Sequence, residues 1–220
     1  MSMPRFEDPA ALGGVLAGPA FVGGLAVGLS LADAPFPRPG ADLEGIQRFF
    51  LGNAGPERIN ITGQCLSALC LAGFTASAAR LAGRASQGSR LLRGAAVAGG
   101  VLATTSLFAS AAAAARLTGP AGHDEDKAQV LHRFLFTAGG PVHGAGLALL
   151  LSAVGLAGHR AGALPRPLTI ATLASAGIDA LAPLVLVAPK AALVIPAGRF
   201  PTFVVLGAAG FRLARGVNHR

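Results

Sequence analysis

Three ionisable residues, His143, Asp179 and Arg199, lie within or at the edge of long apolar stretches of the 220-residue chain. An ionisable side chain inside a bilayer is costly, and it is normally paired with another polar group or placed on an ion or proton path. The sequence therefore predicts a candidate polar site within the membrane at these positions.

His143 and Asp179 are predicted to lie at the same depth on neighbouring antiparallel helices. His143 is nine residues from Phe134, where its apolar stretch begins, and Asp179 is nine residues from Ala188, where the next stretch ends. At about 1.5 Å per residue, both side chains would lie roughly 13 Å below the outer surface. We therefore expect an imidazole–carboxylate contact, which would serve either as a buried pair that fixes helix register or as a proton relay or ligand site.

Arg199 stands between Pro196 and Pro201. Each proline lacks a backbone N–H, so we expect a broken helix here, with a half-helix from Ala191 to Ile195 and a regular helix only from Phe200. The five N–H donors of Arg199 could then satisfy the carbonyl groups that the prolines leave free. Arg199 would either extend to the outer interface or turn toward Asp179 and close a small polar cavity open to the outside.

Chemistry based on haem, metals or nucleotides is not expected. His132 and His143 are eleven residues apart, which is about 16 Å along a helix, so they cannot ligate one iron. Cys65 and Cys70 point about 140° away from each other on a helix, which disfavours a disulfide or a shared metal. The chain also contains no HExxH or GxSxG motif, no phosphate loop and no nucleotide fingerprint. We expect no metal and no cofactor.

The composition is that of a membrane protein. Hydrophobic residues make up 52% of the chain and charged residues 13%, about half the charged fraction of a soluble domain. The net charge of +8 comes from arginines at the ends of apolar segments rather than from one basic face. We therefore expect a lipid bilayer around the protein and no binding of nucleic acid.

The apolar segments predict one all-α domain, a polytopic bundle of six transmembrane helices occupying residues 1–220. The predicted spans are 10–32, 61–79, 94–115, 134–157, 168–187 and 200–213. The loop 33–60 contains an amphipathic stretch, Asp42 to Leu51, which we interpret as a short helix lying in the outer interface. This loop would cover the mouth of the bundle or offer a surface to a protein partner.

The basic residues predict the orientation. With the amino terminus inside, ten Lys and Arg residues fall on the cytoplasmic side and eight on the outer side, whereas most acidic residues fall outside. The bias is clearest over the two short cytoplasmic loops, so we predict both termini in the cytoplasm and a multi-pass protein of the cell membrane.

The C-terminal half resembles small, uncharacterised multi-pass integral membrane proteins of high-GC Gram-positive bacteria. The matching stretches are Ala161–Gly177, AGALPRPLTIATLASAG, and Ile195–Leu213, IPAGRFPTFVVLGAAGFRL. The resemblance implies the same membrane topology, and it carries no activity.

The sequence supports hypotheses from different classes. The first is a structural or accessory membrane component, in which the polar groups only lock the bundle. The second is a small proton-linked transporter or carrier that uses His143 and Asp179. The third is a membrane-embedded enzyme that acts on a lipid or isoprenoid, with the same pair as acid and base. A carrier or an enzyme would bind a small-molecule or lipid ligand between the helices.

Overall fold

The computed structural model describes residues 8–85, 89–188 and 193–216. Within these ranges the chain is folded into helices and contains no strand. The helices are α1 (Leu12–Ser30), α2 (Leu43–Gly52), α3 (Ala54–Arg84), α4 (Ser89–Leu117), α5 (Glu125–Thr137), α6 (His143–Arg160), α7 (Arg166–Asp179) and α8 (Val194–Ala214). A π-turn, Ala138–Val142, joins α5 to α6, so the two form one continuous helical segment, Glu125–Arg160.

Six segments are long and apolar enough to cross a membrane, which confirms the predicted fold class. They are Pro9–Ser30, Ala54–Arg84, Arg90–Leu117, Glu125–Arg160, Arg166–Leu186 and Val194–Ala214. The start of α1 and the end of α8 lie together, because a Cβ added to Gly210 would be 2.4 Å from the carbonyl oxygen of Ala11. We call this the terminal end of the bundle, and we call the opposite end, which carries α2, the distal end.

The distribution of side chains is compatible with a protein that crosses a membrane. Large apolar side chains are exposed on the outer faces of the spans, for example Leu69 and Val204, which are 60% and 72% exposed. Polar side chains such as Glu57 and Thr202 are buried between helices, at 2% and 0% exposed. Polar groups inside and apolar groups outside are expected where the solvent is hydrocarbon.

The helices extend further than the predicted spans, chiefly at the distal end. The second span begins at Ala54 rather than 61, and the fourth begins at Glu125 rather than 134. The acidic residues before the fourth span form the first turn of α5, and Asp124 caps it by accepting a hydrogen bond from the backbone N–H of Lys127. Helix ends in water depend on such caps, whereas hydropathy locates only the apolar middle.

The short helix predicted in the outer loop is α2. Asp42 caps its first turn, and its apolar face, Ile46, Phe49 and Phe50, is buried against α4 and α5. Phe36 from the preceding loop contacts the rings of Phe49 and Phe50 edge-on. Consequently, α2 covers the distal end of the bundle.

The predicted break in the last span is wrong. α8 runs without interruption from Val194 through Pro196, Arg199 and Pro201. Pro196 is the third residue of the helix, where a backbone N–H would have no partner within the helix, so proline costs little there. Pro201 removes one hydrogen bond, to the carbonyl of Ala197, and the helix tolerates this loss. The first residues of the predicted half-helix, 191 and 192, lie outside the described residues.

Glycines let the spans approach to backbone contact. A Cβ added to Gly63 of α3 would lie 2.6 Å from the carbonyl oxygen of Ala20 and 2.7 Å from the Cα of Gly24, both on α1. Gly99 of α4 and Gly146 of α6 meet in the same way: a Cβ added to Gly99 would lie 2.7 Å from the carbonyl oxygen of Gly146, and one added to Gly146 would lie 2.8 Å from that of Gly99. Close packing of small residues stabilises helix pairs in lipid, where no hydrophobic effect pulls helices together.

We expect Gly63→Ala to lower the melting temperature of the detergent-solubilised protein. The new methyl group would meet α1 backbone, which cannot move aside locally, and overpacking of this kind costs about 1–3 kcal/mol. Gly23→Ala is the matched control, since a Cβ at Gly23 meets nothing within 4 Å. The control should melt at the wild-type temperature or slightly above it, because alanine favours the helix. Equal melting of both variants would contradict the predicted contact.

Candidate functional site

His143 begins α6, immediately after the π-turn, and is 1% exposed. Its Nδ1 lies 2.8 Å from the carbonyl oxygen of Ala103 on α4. Because a carbonyl oxygen only accepts, Nδ1 carries the proton in this arrangement. Nε2 is buried and has no hydrogen-bond partner among the described residues. The imidazole therefore ties α6 to α4.

Asp179 is the last residue of α7 and is 3% exposed. Its Oδ2 accepts a hydrogen bond of 2.6 Å from the hydroxyl of Thr202 on α8. Its Oδ1 lies against the backbone of the same helix, since a Cβ added to Gly198 would be 2.4 Å from that oxygen. The carboxyl group therefore ties α7 to α8.

Arg199 lies on α8 and is half-buried. Its guanidinium donates a hydrogen bond to the carbonyl oxygen of Gly139 in the π-turn, and its Cζ lies 5.1 Å from the centre of the Phe21 ring on α1. A cation over an aromatic face at this distance is stabilised by the ring's electrons. The sequence predicted a carbonyl acceptor, but the acceptor belongs to the fourth span rather than to Arg199's own helix.

The π-turn explains why the Gly139 carbonyl is available. In an α-helix that carbonyl would accept from the N–H of the residue four positions later, His143. Here the N–H of His143 bonds to the carbonyls of Ala138 and Gly140 instead. Pro141, within the turn, has no N–H to donate. The Gly139 oxygen thus loses its α-helical donor, and Arg199 supplies one.

The expected hydrogen bond between His143 and Asp179 is not among those made by the described residues. The two helices do meet close to these residues, because a Cβ added to Gly144 would lie 3.3 Å from the backbone oxygen of Asp179. The side chains, however, are directed to different partners, His143 to Ala103 and Asp179 to Thr202. The sequence spacing correctly brought the two backbones together, but it did not determine which way each side chain turns.

A cavity of about 360 Å³ lies near the distal end, and Arg199 is part of its wall. Neither His143 nor Asp179 lines it, so it differs from the polar cavity predicted between Arg199 and Asp179. The wall is mostly apolar and comes from five helices (α1, α3, α4, α5 and α8), the π-turn and the loop before α2. The polar side chains in the wall are Asn60, Gln64, Ser110 and Arg199.

The sequence interpretation missed Asn60 and Gln64. Asn60 is 3% exposed, and its amide nitrogen donates to both carboxyl oxygens of the buried Glu57, at 3.1 and 3.2 Å. Its Oδ1 has no partner among the described residues, and Gln64, 8% exposed, makes no hydrogen bond there. The four-residue spacing of Asn60 and Gln64 places them on one face of α3 and was the signal that could have identified them.

The chain matches no protein-family model, and no curated protein or solved structure is similar enough to count as a match. Within the described residues, no group of three or more His, Cys, Asp or Glu side chains could hold a metal ion. The residues and their geometry are therefore the basis for the function proposed below.

We expect Asp179 and Thr202 to be energetically coupled. Asp179→Ala leaves the Thr202 hydroxyl buried without its acceptor, whereas Thr202→Val in that background removes a group that has already lost its partner. A double-mutant cycle on the free energy of unfolding should give a coupling of about 0.5–2 kcal/mol.

The control for this cycle is Asp126→Ala, a change at an exposed acidic residue. Its pairing with Thr202→Val should give additive changes in the free energy of unfolding. Additive changes for the pair Asp179 and Thr202 as well would contradict the hydrogen bond.

Proposed function

We propose that the protein is a structural or accessory component of the cell membrane. The observation that supports this is the use made of the three candidate residues. Each is bonded to a different element from its own: His143 to α4, Asp179 to α8 and Arg199 to the π-turn. Hydrogen bonds of this kind fix the relative positions of the spans, and they account for the three polar residues without a catalytic or transport role.

The alternatives require an arrangement that differs from this one. A proton-linked carrier that uses His143 and Asp179 needs the two groups connected with each other and with a polar path. An enzyme needs them directed at the same substrate atom. His143 and Asp179 instead bond to separate helices, and neither lines the cavity. These contacts favour the accessory role.

Proton flux through the purified protein tests this proposal. The protein is reconstituted in liposomes that contain a pH-sensitive dye, and an outward pH difference is imposed with valinomycin and potassium present to remove the membrane potential. We expect the pH to decay at the rate of protein-free liposomes, while Asp179→Asn lowers the melting temperature of the same preparation. A protein-dependent flux that Asp179→Asn abolishes would support the carrier instead. Liposomes with added gramicidin are the positive control.

The orientation belongs to the same proposal. We place the terminal end of the bundle, with both chain termini, in the cytoplasm, as the distribution of arginines indicates. The distal end then faces outward. A protein partner would meet the outer face of α2, where Asp42, Glu44 and Arg48 are exposed.

Cysteine labelling tests this orientation. In a background with Cys65→Ala and Cys70→Ala, we expect a membrane-impermeant thiol reagent to modify Asp126→Cys in intact cells. His159→Cys should react only after the cells are lysed, because it lies at the terminal end. Both positions are exposed, so accessibility to water rather than packing determines the result. The opposite pattern would place the termini outside.

A further inference from the structure

We propose that the distal cavity binds a single-chain amphiphile with an anionic headgroup, a carboxylate or a phosphate. The headgroup is held by Arg199 and Gln64, and the chain lies against the apolar wall formed by α1 and α8. This site goes beyond the accessory role proposed above, which does not require a ligand.

The cavity results from a change in residue size along the contact between α1 and α8. Toward the terminal end the backbones touch, because a Cβ added to Gly14 would lie 2.6 Å from the carbonyl oxygen of Leu206. Toward the distal end, aromatic and aliphatic side chains replace the glycines, beginning with Phe21, whose ring lies 5.3 Å from that of Phe203. Beyond this pair of rings, Leu25 and Leu29 of α1 line the cavity together with Ile195 and Phe200 of α8.

The size and lining of the cavity fit one chain. A volume of about 360 Å³ lies at the lower end of the range of about 300–1,000 Å³ that small-molecule sites occupy. A phospholipid with two chains could not be enclosed in this volume. Leu29 and Phe200, 40% and 48% exposed, belong both to the wall and to the outer surface of the bundle. A chain can therefore enter from the surrounding lipid.

The charge of the site favours an anion. Arg199 has five N–H donors but makes a single hydrogen bond among the described residues, so most of its donors are uncommitted. Its contacts are a carbonyl group and an aromatic ring, and it has no ion-pair partner within 4.0 Å in the described residues, although its charge interacts with that of Asp179 over a longer distance. A carboxylate or phosphate oxygen would supply both the negative charge and the acceptors.

The amides support the same headgroup. Gln64 is a buried residue in the cavity wall and makes no hydrogen bond in the described part of the chain, so its amide is open to a ligand or water in the cavity. Its NH₂ can donate to the anion alongside Arg199. Asn60 offers only Oδ1, because its NH₂ is bonded to Glu57. This oxygen accepts from a hydroxyl on the headgroup, which a phosphate monoester provides. Glu57 itself does not line the cavity.

Displacement of a fluorescent fatty acid tests the proposal. The full chain is placed in phosphatidylcholine nanodiscs, and cis-parinaric acid is titrated in, with empty nanodiscs as the blank. We expect saturable binding that oleate and oleoyl lysophosphatidate displace, with uncharged monoolein at least tenfold weaker. Stronger displacement by lysophosphatidate identifies a phosphate headgroup, and stronger displacement by oleate identifies a carboxylate. Equal displacement by monoolein, or the absence of saturable binding, would overturn the proposal.

Two variants connect the binding to the named residues. Arg199→Gln and Gln64→Leu should each weaken binding of the anionic probe about tenfold or more, as expected for the loss of a hydrogen bond to a charged group. Arg116→Gln, at an exposed arginine of α4, is the matched control and should bind as the wild type does. Gln64→Leu removes no hydrogen bond of the described fold, so it decides the question even if Arg199→Gln destabilises the protein. Wild-type affinity in folded Gln64→Leu would overturn the role assigned to the amide, and wild-type affinity in folded Arg199→Gln would overturn the anion site.

Discussion

The hydrogen bond from Arg199 to the Gly139 carbonyl joins the last span to the fourth at the point where the fourth changes from π to α geometry. In hydrocarbon no water can satisfy a carbonyl that a proline or a π-turn has released, so another part of the protein must do so. Arg199 donates the hydrogen bond to this carbonyl, and the carbonyl dipole and the Phe21 ring in turn stabilise its positive charge. The turn, the position of α8 and the wall of the cavity all depend on this contact.

The same constraint governs the other buried polar groups. His143 bonds to a carbonyl of α4, Asp179 to a hydroxyl of α8, and Asn60 to Glu57. At the terminal end, Asp8, just before the first span, accepts two hydrogen bonds from Arg80 of α3. Burial raises the pKa of Asp8, but the hydrogen bonds and the charge of Arg80, together with other hydrogen bonds to the carboxylate, lower it below its ordinary value. The bond between Asn60 and Glu57 lies within α3. Each of the other bonds connects two elements whose apolar faces alone would not determine their register.

Two kinds of contact hold the bundle together: close packing at glycines and hydrogen bonds between buried polar groups. Glycines bring α1 against α3 and α4 against α6, where dispersion contacts between backbones stabilise the pair. On the face of α1 that meets α8, Phe21 follows Gly14 and Gly18, and Leu25 and Leu29 beyond it line the cavity. The cavity is therefore a consequence of the residue pattern along two helices, and the ligand site that we propose uses the space this pattern creates.

Much of the architecture could be predicted from the sequence. Runs of apolar residues long enough to cross a bilayer gave an all-α fold with six candidate spans, and the amphipathic stretch before the second span gave α2. These features depend on composition and periodicity, which are properties of each segment alone. The helix ends were predicted less well, because caps such as Asp124 act in water beyond the apolar core.

The site depended on tertiary structure. Sequence spacing could place His143 and Asp179 at one depth, but the rotation of each helix about its axis directs the side chains to Ala103 and Thr202. The prolines around Arg199 predicted a break in the helix. Pro196, however, falls in the first turn and Pro201 removes a single backbone hydrogen bond, so α8 continues through both. Asn60 and Gln64 became site residues only when five helices enclosed them with Arg199. A sequence determines what each helix can bury, whereas the packing of the helices determines which buried groups meet.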